Sequence, residues 1–130
     1  MKILMVEANT RMRRLVKSLF ADPAVEWIEG ADGSEALSAY AQHRPDWVLL
    51  DITLPKLDGL AATRQIKARF PEARIVILTQ DDEPALRVAA AQAGACGYLL
   101  KENLSEVPRW IAAHHASGPS SLPNPTPDEP

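Results

Sequence analysis

Glu7, Asp51, Thr79 and Lys101 each directly follow a short apolar run: Ile3-Leu4-Met5-Val6, Trp47-Val48-Leu49-Leu50, Ile75-Val76-Ile77-Leu78 and Gly97-Tyr98-Leu99-Leu100. Apolar runs of this length, bounded by turn residues, read as strands buried on both faces. In an open α/β sheet the ligand crevice lies just beyond the carboxyl ends of the parallel strands. Two carboxylates, a hydroxyl and an ammonium are therefore expected at one edge. Such a set suits a metal ion, a phosphoryl group or both. Ala8 follows Glu7 and adds no side-chain oxygen at that edge.

The elements that carry these residues alternate. Strand-like and helix-like stretches follow one another five times, which implies βα units around a parallel sheet. Asn9 or Thr10 is placed to cap a first helix, whose Met12, Leu15, Val16, Leu19 and Phe20 form a core-facing stripe ended by Asp22-Pro23. A weaker strand spans Val25 to Glu29, and Asp32-Gly33-Ser34 turns into a helix through Leu37 and Tyr40 that ends near His43-Arg44-Pro45. The loop Ile52 to Gly59 leads to a helix from Leu60 to Phe70, closed by Pro71. Asp82 is expected to cap the next helix, with Pro84 in its first turn and Gly94 at its end. A last helix is expected from Leu104 to His115.

Composition narrows the function classes. The 130 residues, 46% hydrophobic and 24% charged, suffice for one domain with a proper core. A net charge of −3 argues against a nucleic-acid surface, and the basic cluster Arg11, Arg13, Arg14, Lys17 reads as a solvated helix face. The single cysteine, Cys96, excludes an internal disulfide or a thiolate zinc site and reads as packing. No run is long enough to span a membrane and no signal peptide opens the chain, so the expected location is cytoplasmic. Trp27, Trp47 and Trp110 read as packing or partly exposed surface, and His114 and His115 as partners of a helix C-terminus. Five of the eleven prolines fall after Ser117, so a folded domain is expected over residues 1–116 and a Pro-rich disordered tail or linker stub over 117–130.

Several features in this order resemble the receiver domain of two-component response regulators. They are the acid after strand one, Asp51 after strand three with Leu54-Pro55-x-Leu57-Asp58-Gly59 behind it, Thr79 after strand four, and Gly94-Ala95-x-Gly97-Tyr98-x-x-Lys101. Lys101-Glu102, without a proline after the lysine, is similar to the subfamily joined to a C-terminal helix-turn-helix output domain. The resemblance implies a flavodoxin-like fold, with a five-stranded parallel sheet and helices on both faces. It implies that Asp51 accepts a phosphoryl group from a sensor histidine kinase or phosphotransfer protein. Lys101 would supply charge stabilisation. Mg2+ would be held by Asp51, the carbonyl of Thr53 and the acid at position 8, with Glu7 acting through water. Thr79 would hold a phosphoryl oxygen and Tyr98 would carry the change outward. A homodimer is also in keeping with the resemblance. Thr53 and Asp81, each two residues past a site residue, would line the path of a hydrolytic water.

Ala8 departs from this pattern, because alanine offers no oxygen. Glu7, Asp51 and Thr53 remain as the candidate metal set, so weak or absent Mg2+ binding and weak phosphorylation are expected. A degenerate receiver, used as a phosphorylation-independent interaction or dimerisation module, is the alternative. An enzyme using Asp51 as a phosphatase nucleophile ranks below both, since Thr53 stands where haloacid-dehalogenase-type enzymes want a second aspartate. The chain is therefore read as a signalling module and not an enzyme.

Overall fold

The structure is a computed structural model and describes residues 1–115. The expectation of a disordered tail falls on residues outside that range.

Unbroken apolar runs build the centre of the sheet. Strands β1 (Lys2–Val6), β2 (Glu26–Gly30), β3 (Trp47–Asp51), β4 (Ile75–Thr79) and β5 (Gly97–Leu100) pair in parallel in the order β2-β1-β3-β4-β5. β3 and β4 are buried at every position, as their unbroken apolar runs require. Successive side chains of a strand point to opposite faces, and each face has its own helices. Leu4, Val6, Val48, Leu50, Ile75 and Ile77 pack beneath α2 (Ala36–His43), α3 (Gly59–Arg69) and α4 (Pro84–Ala93). Ile3, Met5, Trp47, Leu49, Val76 and Leu78 face α1 (Thr10–Ser18) and α5 (Glu106–His115). The expected doubly wound, five-stranded parallel sheet is the observed fold.

Helix boundaries follow local chemistry. Asn9 Oδ1 accepts the Met12 N–H at 3.0 Å, and Asp58 Oδ1 caps α3 by accepting from Ala61 at 2.8 Å. Asp32 and Glu35 form a capping box on a single 3₁₀ turn (Gly33–Glu35) that leads into α2. Gly94 ends α4 at φ +107°, a backbone conformation that glycine adopts without strain.

Three local expectations need correction. Leu15 is 47% exposed, because it lies at the margin of the stripe whose centre is Val16 and Leu19. Asp82 does not cap α4. Glu83 occupies the N-cap position without a side-chain bond, and Asp82 pairs with Arg87 instead. A missing cap costs about 1 kcal/mol, which packing of Leu86 and Ala90 on the core offsets. The last helix begins at Glu106, two residues late, after a 3₁₀ turn over Lys101–Asn103.

The end of α5 is pinned from the edge of the sheet opposite the four chemistry-bearing residues. Trp47 Nε1–H donates to His115 Nδ1 at 3.1 Å, and buried Arg74 donates to the His115 carbonyl at 3.2 Å while its guanidinium stacks over Trp47. His114 stacks on Trp110, with ring centroids 3.9 Å apart. Among the described residues no helix is long and apolar enough to cross a membrane.

Cys96 reaches the surface, yet its thiol is turned onto the Ile75 carbonyl 3.5 Å away. Burial of the sulfur pushes its pKa up, only partly opposed by that bond and by Lys67. The thiolate is the reactive form, so Cys96 is expected to react with a thiol-specific chromogenic disulfide more slowly than free cysteine at pH 8. A rate equal to or above that of free cysteine would contradict this reading.

Candidate functional site

The sheet order sets neighbours that are distant in sequence. β1 lies between β2 and β3, so the chain reverses its direction of travel across the sheet between β1 and β3. Crevices in open α/β sheets form at such reversals. Val6 is in register with Leu50 and Asp51 with Leu78, so Glu7 and Asp51 leave the sheet at the same level on adjacent strands. Thr79 is level with Leu100 on the other side of β4, and Lys101 follows.

These side chains form one buried charge cluster. Lys101 Nζ stands 2.9 Å from Glu7 Oε1 and 3.1 Å from Asp51 Oδ2. Glu7 and Asp51 are only 3% and 6% exposed, depths at which an unpaired carboxylate is rarely tolerated. Each carboxylate also accepts from the backbone of the loop that follows it. Asn9 N–H donates to Glu7 Oε2 at 3.1 Å, and Thr53 N–H donates to Asp51 Oδ1 at 3.2 Å.

Electrostatics follow from this packing. Burial, and then the negative charge of Glu7, holds the Asp51 carboxyl above its usual range, while Lys101 and the Thr53 N–H act in the opposite sense. Burial would lower Lys101, but its contacts with Glu7 and Asp51 outweigh that and raise it, so the ammonium is retained. The pocket thus joins a partly desolvated carboxylate to a fixed cation. That arrangement suits nucleophilic attack on an anionic phosphorus centre, because the cation offsets repulsion between attacking and attacked groups.

Thr79 is fully buried and turned to a different task. Its Oγ1 accepts the Asp81 N–H at 3.1 Å, and the Asp81 carbonyl accepts the Tyr98 O–H at 2.7 Å. Burial raises the Tyr98 phenol, against the Thr79 hydroxyl and the Arg87 guanidinium, which pull it down. The structure thus brings Glu7, Asp51 and Lys101 together and links Thr79 to Tyr98 through one intervening residue. Thr53 is exposed and meets Asp51 through its backbone, and Ala8 and Gln80 are exposed at the rim. The backbone of Asp81 and the side chain of Arg87 are participants that residue-by-residue reading of the sequence did not single out for these roles. No local pattern marks a contact between a helix residue and a strand residue eleven positions later.

A divalent ion can be tested against these donors. Magnesium takes hard oxygens, commonly one or two carboxylates with carbonyls and waters. Glu7, Asp51 and the Thr53 carbonyl are of the right chemistry. Glu7 Oε1 is buried and close to Lys101 yet receives no aligned hydrogen bond, so it retains capacity for a cation. Among the described residues, no cluster of three or more acidic, histidine or cysteine side chains gathers as a metal site. The donors present therefore fit magnesium in kind.

Fold and charge cluster together define a doubly wound α/β domain with a buried, lysine-bridged pair of carboxylates at its switch point. A profile of the response regulator receiver domain matches residues 3–109, and the chain belongs to that family. It is 33% identical to the transcriptional regulatory protein DegU of Brevibacillus brevis over 103 residues, covering 78% of this chain and 44% of that one. The chain thus spans less than half the length of that relative. It is also 33% identical to the chemotaxis protein CheY of Bacillus subtilis over 101 residues, covering 77% and 84% of the two chains. Among solved structures, a LuxR-family two-component response regulator from Aurantimonas superposes with a TM-score of 0.83 at 32% identity, covering 90% of this chain and 86% of the other. Receiver domains are signalling modules of two-component systems that typically bind Mg2+ where they are phosphorylated and interact with histidine kinases or phosphotransfer proteins.

Proposed function

We propose that this chain accepts a phosphoryl group on Asp51 from a phosphohistidine-bearing partner, a sensor histidine kinase or phosphotransfer protein, with magnesium dependence weakened by Ala8. The observation that carries the proposal is the buried Asp51 carboxylate with the Lys101 ammonium 3.1 Å away. An Asp51 oxygen forms the new P–O bond as the donor's P–N bond breaks, and the electron pair returns to the imidazole nitrogen, which takes a proton from solvent. Lys101 balances charge on the phosphoryl oxygens, and the Thr53 N–H keeps the second Asp51 oxygen oriented. Thr79, one step beyond, supplies a hydroxyl to the modified site. Asp51, Glu7 and the Thr53 carbonyl would hold magnesium, which supplies positive charge that lets two anions approach.

In this reading the domain covers residues 1–116, is cytoplasmic, performs no turnover on a small substrate, and serves an output region of a longer regulator or a second copy of itself. A phosphorylation-independent interaction module is the second reading. It is favoured by the contact of Lys101 with both carboxylates, which already supplies internal charge compensation.

Incubation with acetyl phosphate, followed by intact-mass analysis with and without hydroxylamine, separates the two. Slow, hydroxylamine-sensitive modification that disappears in Asp51→Asn is the expected outcome. Modification confined to Ala8→Asp would select the second reading. Absence of modification in both proteins would overturn phosphoryl acceptance at Asp51.

A further inference from the structure

Arg87 lies on α4. Its side chain is 47% exposed, and it reaches Asp82 Oδ1 through Nε at 3.0 Å and Nη2 at 2.9 Å. Such an exposed ion pair contributes little by itself. Its consequence lies in what it orients. The guanidinium carbon sits 4.7 Å from the centroid of the Tyr98 ring, which comes from β5.

The tip of that same ring is occupied as well. The Tyr98 O–H donates to the Asp81 carbonyl, and the N–H of the same Asp81 donates to Thr79 Oγ1. A tyrosine has two side-chain torsions. One bond at the tip leaves the ring free to swing into water, which competes for the phenol. A cation held over the face removes that freedom, because swinging would forfeit the guanidinium–ring attraction. Asp82 adjoins Asp81, so the cation is tethered to the loop that receives the phenol.

We propose that Arg87 is a positioning residue: fixed by Asp82, it clamps the Tyr98 ring onto the Asp81 carbonyl, so that the Thr79 turn, β5 and α4 shift as one unit. The clamp's contacts, to Asp82, Tyr98, Asp81 and Thr79, include none to Asp51. The clamp goes beyond the proposed function and does not depend on phosphoryl acceptance.

The test uses the full chain with ring-13C-labelled tyrosine and 15N-labelled backbone, in the absence of any phosphoryl donor. The protein has two tyrosines, and buried Tyr40, packed against Phe70, is the internal reference for an intact fold. Arg87→Leu keeps an aliphatic side chain at the position and removes the charge. It is expected to move the Tyr98 ring signals and the Asp81 and Thr79 amides, lowering the docked population relative to the released one about 2- to 5-fold. Tyr40 stays in place, Arg87→Lys recovers part of the shift, and Asp82→Asn gives a smaller change of the same direction. Tyr98, Asp81 and Thr79 signals unchanged in Arg87→Leu would overturn the proposal. Equal shifts in Arg87→Leu and Arg87→Lys would also overturn it, since charge would then be irrelevant.

Discussion

Ala8→Asp is expected to tighten magnesium binding by about 10- to 100-fold, the scale on which loss of even an indirect partner weakens metal sites. Glu7 and Asp51 bring two negative charges and Lys101 cancels one of them, leaving the pocket a single net negative charge for a divalent ion. A carboxylate at position 8 doubles that charge and adds a hard oxygen ligand of the kind magnesium prefers. Position 8 is exposed, so the new group gives up little hydration until the ion binds. In metal-free solution the same substitution should lower stability slightly, because a third carboxylate joins two that are already close. Calorimetric titration of both proteins with magnesium reads the first effect, and urea unfolding with and without the ion reads the second. Equal affinities would show that the Lys101-bridged pair, and not the missing acid, limits cation binding.

Gly59→Ala should destabilise the domain by about 1–3 kcal/mol, the usual cost of forcing an extra methyl into a packed interior. Glycine-to-alanine changes within helices ordinarily stabilise by about 0.5–1 kcal/mol, because alanine loses less backbone entropy. Here the sign reverses. A Cβ at Gly59 would lie 2.3 Å from the carbonyl oxygen of Asp51 and 2.9 Å from Ile52 Cα, both backbone atoms that cannot rotate away. The Gly59 N–H also donates to the Ile52 carbonyl at 3.0 Å, so the start of α3 cannot back off without breaking that bond. Relief must come from moving the end of β3. Urea unfolding at pH 7 measures the stability loss. A second signature is displacement of the Asp51 and Thr53 amide resonances, well beyond any change at Gly97 at the start of β5, which does not pair with β3. Unchanged stability with unmoved Asp51 would refute the close approach.

Asp51 illustrates why so much of the site was legible in the chain. Short unbroken apolar runs in the strands and the 3.6-residue period of the helices are local patterns, written over a few residues at a time. They placed five strands and five helices, and they placed Glu7, Asp51, Thr79 and Lys101 at strand ends. Turn and cap chemistry was legible for the same reason at Asn9 and Gly94, whose partners lie within five residues. It misled at Asp82, because a capping aspartate and one that pairs with an arginine one turn into the helix look alike along the chain.

What the sequence by itself determined was the alternation of buried strands with amphipathic helices, and the presence of two acids, a hydroxyl and an ammonium at strand ends. The tertiary structure alone decided which of these meet. Lys101 bridges Glu7 and Asp51, whereas Thr79 turns to Asp81 and, through it, to Tyr98 beneath Arg87. Side-chain periodicity reports only that a face is buried. The choice of neighbour depends on strand order and register across gaps that run from Arg87–Tyr98, within one βαβ unit, to Glu7–Lys101, at opposite ends of the domain, where packing of whole faces against each other sets the distances between charges.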